Sequence, residues 1–97
     1  MEVVCFDKDL GECLEQPELF ERKYGSIRAK VIRRRLDTLH MADSLEQLKG
    51  FPGRFHELTG DRKGQWACDL DQPYRMILEP AGENTVAIRE ITNYHGK

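Results

Sequence analysis

Apolar positions along the chain change period twice. "VVCF" (Val3–Phe6) is a short β-branched run bounded by charge, which predicts a buried or edge strand. From about Leu14 to Tyr24 the pattern is helical, with Pro17 near the first turn and Gly25 just past the end. Ser26 then stands as an N-cap for a second helix to about Met41, on which Val31, Ile32, Leu36, Leu39 and Ala42 fall on one arc. Arg28 and Arg35 lie inside that arc, so they must snorkel or meet acids. A one- or two-residue turn between these helices predicts an αα-hairpin. "ADSLEQLKGFPG" adds one or two helical turns, capped by Asp43 or Ser44 and ended at Gly50.

After Gly53 the period becomes two. Strands are expected over Phe55–Thr59, Gln65–Leu70, Tyr74–Glu79 and Thr85–Ile91, and the short links "GDRKG", "DQP" and "PAGEN" make them an antiparallel meander. Trp66, Cys68 and Leu70 share a face, as do Tyr74, Met76 and Leu78, and Val86 and Ile88; Arg75 points the opposite way. The expected fold is α+β: an N-terminal strand and a helix hairpin packed on a mostly antiparallel sheet, with the other sheet face half open. The 97 residues suit one domain spanning 1–97.

Composition narrows the classes. Hydrophobic content of 39% and charged content of 33% describe a globular, well-wetted chain, and no apolar run approaches a membrane span. The start "MEVVCFDKDL" has no signal-peptide pattern. Three cysteines without CxxC spacing argue against a disulfide framework and a zinc site, and point to a reduced cytoplasmic protein with no metal or cofactor. The net charge of −2 hides segregation: residues 1–21 carry seven acids and one lysine, residues 22–36 seven bases and no acid. Such segments either neutralise each other as neighbouring helices or attract phosphate.

Candidate chemistry sits in the second half. Arg75, in mid-strand, either grips an anion with its planar fork or pairs across the sheet with Glu57 or Glu90. Arg62 and Lys63 crown the "GDRKG" tip as solvated charges or phosphate contacts. Tyr94 and His95 follow the last strand, and His56 opens an earlier one; an imidazole is the side chain best suited to move a proton near neutral pH. His40 reads as surface, and Trp66 as core or rim. HExxH, GxSxG, dinucleotide and P-loop motifs are missing. Arginine, lysine, histidine and tyrosine suit metal-free RNA cleavage, in which a 2′-hydroxyl attacks the adjacent phosphorus.

"FHELTGDRKGQW", "PYRMILEP" and "VAIREITNYH", with "RKYGSIRAKVIRRRLDTLHMADSLEQL" before them, resemble the HigB branch of the RelE/ParE toxin superfamily over nearly the whole chain. The resemblance implies the toxin of a type II toxin–antitoxin system. Such a toxin cuts mRNA on the ribosome without a metal and is neutralised by a helix-turn-helix, HigA-like antitoxin, in a possible toxin–antitoxin heterotetramer. It assigns His95 as leading proton carrier and His56 as its assistant. Arg75 would stabilise the scissile phosphate, and Tyr94 would position RNA or help the terminal histidine. Three positions depart from the family pattern: Asn93 replaces a common aspartate, Thr59 a common lysine, and Asp71 stands where some active members carry arginine. Gly96 and Lys97 extend past the usual final histidine. A gyrase-directed, ParE-like inhibitor and a weakly catalytic protein acting through its antitoxin are the alternative readings.

Overall fold

The computed structural model describes residues 1–93; the expectations for Tyr94 and His95 lie outside the described residues. Strand β1 (Glu2–Cys5) leads into helix α1 (Lys8–Glu15) and the helical element α2 (Leu19–Met41). A 3-10 turn at Glu46–Gly50 precedes β2 (His56–Glu57), and another at Gly60–Arg62 precedes β3 (Trp66–Asp69). Strands β4 (Tyr74–Pro80) and β5 (Thr85–Asn93) follow. The sheet order is β1-β5-β4-β3-β2, antiparallel throughout the meander and parallel where β1 joins β5. This is the expected α+β layout.

The helix expected over Leu14–Tyr24 is present only in its second half, residues 19–24 of α2, and a separate helix, Lys8–Glu15, precedes it. Asp7 starts that helix by accepting from the Leu10 amide (2.9 Å), and Pro17 falls in the break between the two. The expected hairpin is present inside α2. Gly25 has φ 80° and ψ 163°, a conformation that costs a side-chain-bearing residue heavily. The chain reverses there: the Arg33 guanidinium stacks 4.7 Å from the Phe20 ring centre and donates to the Pro17 carbonyl (3.3 Å). Along a straight helix, Phe20 and Arg33 would stand about 20 Å apart.

Part of the charge segregation is resolved by pairing between α1 and α2. Lys23 pairs with Asp9 and Glu12 of α1, and these bonds, Glu12 first, raise its ammonium above the ordinary lysine value. The two arginines inside the apolar arc are satisfied as their position demands. Arg28 meets Asp71 (3.1 Å) and stacks 3.6 Å from the Tyr74 ring centre; Arg35 donates from Nε to the Asp69 carbonyl (2.8 Å). Asp71, one of the departures from the family pattern, therefore tethers the β3–β4 turn to α2.

The core lies between the helices and one sheet face. Leu10, Phe20, Ala29, Ile32, Leu36 and Leu39 pack against Trp66, Cys68, Met76, Leu78, Val86 and Ile88. Each fully buried Leu or Ile contributes about 1.5–3 kcal/mol relative to exposure. Ser44 Oγ accepts from the Gln47 amide (3.2 Å) while Gln47 Oε1 accepts from the Asp43 amide (2.7 Å), a reciprocal cap on the 3-10 turn. The Met1 ammonium donates to the carbonyls of Leu39, His40 and Ala42, where the negative end of the α2 dipole lies. Among the described residues, no helix is long and apolar enough to cross a membrane.

Candidate active site on the open sheet face

The sheet face turned away from the helices is built by register. Antiparallel pairing sets Ala67 beside His56, Ile77 beside Ala67, and Glu90 beside Ile77. The next row runs Asp69, Arg75 and Thr92. Residues directly opposite share a face, so His56 and Arg75 both belong to the open side. Strand spacings put their α-carbons about 12 Å apart, a gap that an imidazole and a guanidinium can close around one phosphate.

Glu90 reaches this face through an irregularity. Simple alternation after Val86 and Ile88 would send residue 90 toward the helices. The register instead shifts at Ile77/Leu78, with Leu78 opposite Ile88 and Ile77 opposite Glu90, so Arg89 is an extra residue in β5. Such a bulge turns two consecutive side chains outward and returns Ile91 to the core side. Asp7 satisfies the disturbed backbone: its Oδ2 accepts from the Ile91 amide (3.3 Å) while Oδ1 caps α1. One carboxylate thus fixes both the helix start and the bulge.

His56 is held in one tautomer. Its Nδ1 lies 2.7 Å from the Arg54 carbonyl, which can only accept, so Nδ1 carries the proton. Nε2 then bears the lone pair in the neutral ring. Arg54 itself has φ 54°, a left-handed conformation uncommon for arginine. Its guanidinium grips Asp69 through Nε (2.8 Å) and Nη2 (3.2 Å), and the Asp69 amide donates to the Gly53 carbonyl (2.8 Å). Gly53, at φ 116°, cannot be replaced cheaply, since a β-carbon there would stand 2.7 Å from Arg35 Nε. Asp69, directly across from Arg75, holds the segment that aims His56.

At the other end of the face Arg62 donates to Gln65 Oε1 and Glu90 Oε2, both 2.9 Å. Gln65 donates to Glu79 (3.3 Å), and Glu79 faces Arg89 at 3.8 Å. Buried Ala67, Ile77 and Ala87 form the floor under these side chains. Lys63 stands exposed at the tip. The structure therefore brings His56, Arg75 and Arg62 to one face, with Lys63 at its margin.

Sequence reasoning missed Arg54, Asp69 and the role of Glu90. Asp69 was within reach of it: with Leu70 and Tyr74 closing the "DQP" turn, the residue facing Arg75 is Asp69, rather than Glu57, which pairs with Trp66. Trp66 is core and His40 is surface, as expected. The thiols of Cys5, Cys13 and Cys68 are free and all raised by burial, that of Cys68 to about 12, so they offer little thiolate at neutral pH. A cleft of about 160 Å³ lined by Met1, Ser44, Pro80 and Thr85 lies at the opposite end of β4 and β5 from Arg75 and Thr92.

No protein-family model matches the sequence, and no curated protein matches it. Solved structures do match in fold. The chain is similar to a YoeB/ParE toxin from Agrobacterium tumefaciens, with a TM-score of 0.70 and 14% identity over 98% of this chain and 100% of that one. It is also similar to a chain of the YoeB-YefM complex from Staphylococcus aureus, with a TM-score of 0.65 and 14% identity over 99% and 98% of the two chains. The α+β fold is thus one that YoeB/ParE toxins adopt.

Proposed function

We propose that this protein is the toxin of a type II toxin–antitoxin system, acting as a metal-free endoribonuclease on ribosome-bound mRNA. The observation that carries the reading is a histidine whose Nδ1 is bonded to a backbone carbonyl, which leaves Nε2 as its lone-pair nitrogen, sharing an open sheet face with a mid-strand arginine, on a fold that YoeB/ParE toxins adopt. His56 Nε2 accepts the proton of a 2′-hydroxyl, and the 2′-oxygen attacks the adjacent phosphorus. Arg75 pairs with the non-bridging oxygens as charge builds. The bond to the 5′-oxygen breaks, and that oxygen takes a proton from His95, leaving a 2′,3′-cyclic phosphate and a 5′-hydroxyl. His95, the leading proton carrier, and Tyr94, which positions the RNA, take their parts from the HigB-like resemblance, as does a HigA-like helix-turn-helix antitoxin. The YoeB-YefM pair supports the coarser idea of a protein partner.

The test is to add purified protein to a translation reaction and map mRNA ends. The expected result is cleavage within ribosome-bound message, lost by at least about 100-fold in His95→Ala. Intact mRNA at high protein concentration overturns the reading. A second reading, a weakly catalytic protein acting mainly through its antitoxin, is favoured by the charge balance of the face. There, Arg54, Arg62, Arg75 and Arg89 stand among Asp69, Glu79 and Glu90. Growth arrest on expression without a partner separates the two.

A further inference from the structure

On the open face the fork of Arg62 is divided between a neutral acceptor and an acid far along the chain. Its Nη1 bonds Gln65 just before β3, and its Nη2 bonds Glu90 on β5, twenty-eight positions away. Strand β4 lies between those strands, so the guanidinium sits over the middle of the sheet rather than out in solvent at the hairpin tip. Glu90 is there only because of the bulge at Arg89, which turns it outward. Both partners are well exposed, at 42% each, so the pair is reachable by a solute and only loosely held. A guanidinium fork that accepts one carboxylate also fits a phosphate.

We infer that Glu90 is a specificity-determining residue: its carboxylate is the resident occupant of Arg62, and an RNA phosphodiester binds the open face by displacing it. The inference rests on the reading of the face as RNA-binding. The phosphodiester beside Arg75 and His56 is the reacting one, and the one that displaces Glu90 lies further along the strand toward the β2–β3 turn. Arg62 then gives up a carboxylate for a phosphate, so its contribution to binding is an exchange and is small. Removing the carboxylate converts the exchange into a net gain. Glu90 thereby sets a threshold: weakly presented RNA does not displace it, whereas RNA held by other contacts does.

The experiment uses the full chain and a labelled 2′-O-methyl RNA oligonucleotide, which lacks the attacking hydroxyl and reports binding without cleavage. Anisotropy titrations across a range of KCl compare the wild type with Glu90→Gln, Arg62→Ala and the double variant. Glutamine keeps the shape of the side chain, and thermal melts check that each variant folds. Glu90→Gln is expected to bind roughly fivefold tighter at low salt and to steepen the slope of log K against log salt by about 0.7, the signature of one more phosphate contact on a single strand. The double variant is expected to lose both changes. Glu90→Gln binding no tighter than wild type, including the case in which neither binds, overturns the inference. So does a gain that survives in the double variant, which would be a general charge effect. Cleavage of ribosome-bound mRNA is scored separately, so loss of the nuclease reading and loss of the Glu90 threshold are distinguishable.

Discussion

The two faces of the same sheet are built by different rules. The helix side is apolar from Trp66 through Met76 and Leu78 to Val86 and Ile88, and these side chains are buried in one cluster with those of α1 and α2. The open side has a thin apolar floor of Ala67, Ile77 and Ala87 under charged side chains that bond mostly to one another. On the first face a change of side chain costs packing. On the second it changes which charges face which, at little cost to folding. Stability and the proposed chemistry are therefore separable by mutation to a degree that a two-sided core would not allow.

The sharpest test of that separation is Leu78→Ala against Ile77→Ala. Both side chains are fully buried, but only Leu78 faces the helices. Leu78→Ala is expected to cost about 3–5 kcal/mol in urea unfolding, and Ile77→Ala nearer 2 kcal/mol, because water and long side chains can fill the space it leaves. Equal losses would break the comparison.

Gly53→Ala comes next, at about 1–3 kcal/mol. The new β-carbon meets the Arg35 guanidinium and φ is positive, and the loss should be read as a lower thermal midpoint.

Alkaline pH should weaken the helix side specifically. Burial pushes the folded Cys68 thiol up to about 12, well above the ordinary thiol range, so above about pH 9 the unfolded chain sheds a proton that the folded chain keeps. Stability then falls with rising pH by up to about 1.4 kcal/mol per unit until the folded value is reached. Urea melts at pH 8 and 10 should show a steeper decline for wild type than for Cys68→Ala.

Arg54→Ala on the open side removes an ion pair whose arginine is exposed, so it should change stability by only about 1 kcal/mol. By loosening the segment that aims His56, it should lower the rate of mRNA cleavage roughly tenfold, read from end-mapped message over time. An unchanged rate would remove the Arg54–Asp69 clamp from the account.

The helix side was legible because its signals are periodic. Leu36 and Leu39 repeat at helical spacing, and Trp66, Cys68 and Leu70 at spacing two. Arg28 and Arg35 announced by their position that they needed partners, and the structure supplies Asp71 and the Asp69 carbonyl. The separate helix Lys8–Glu15 was not legible, because its boundary is set by the Asp7 cap rather than by an apolar period, and that carboxylate also ties to β5, eighty-four positions away. The open side was legible only as residue types. His56 and Arg75 could be put on strands, but their sharing of a face depends on the pairing of β2, β3 and β4. The arrival of Glu90 depends on one extra residue in β5, which no period reveals. Arg62 looked like a solvated tip, because nothing local shows that its reach ends on another strand.

The parallel pairing of β1 with β5 carries a consequence for biosynthesis. Glu2 sits beside Thr85, so the strand made first gains its neighbour only after some eighty further residues have emerged. Until then β1 has no strand to pair with, and the helices lie over a sheet that lacks its second strand. Such long-range closure is slow and leaves the growing polypeptide open to capture. The open face, Thr92 beside Arg75 included, is assembled in the same late step. A half-made chain therefore carries the arginines and His56 without the surface that would let them act together.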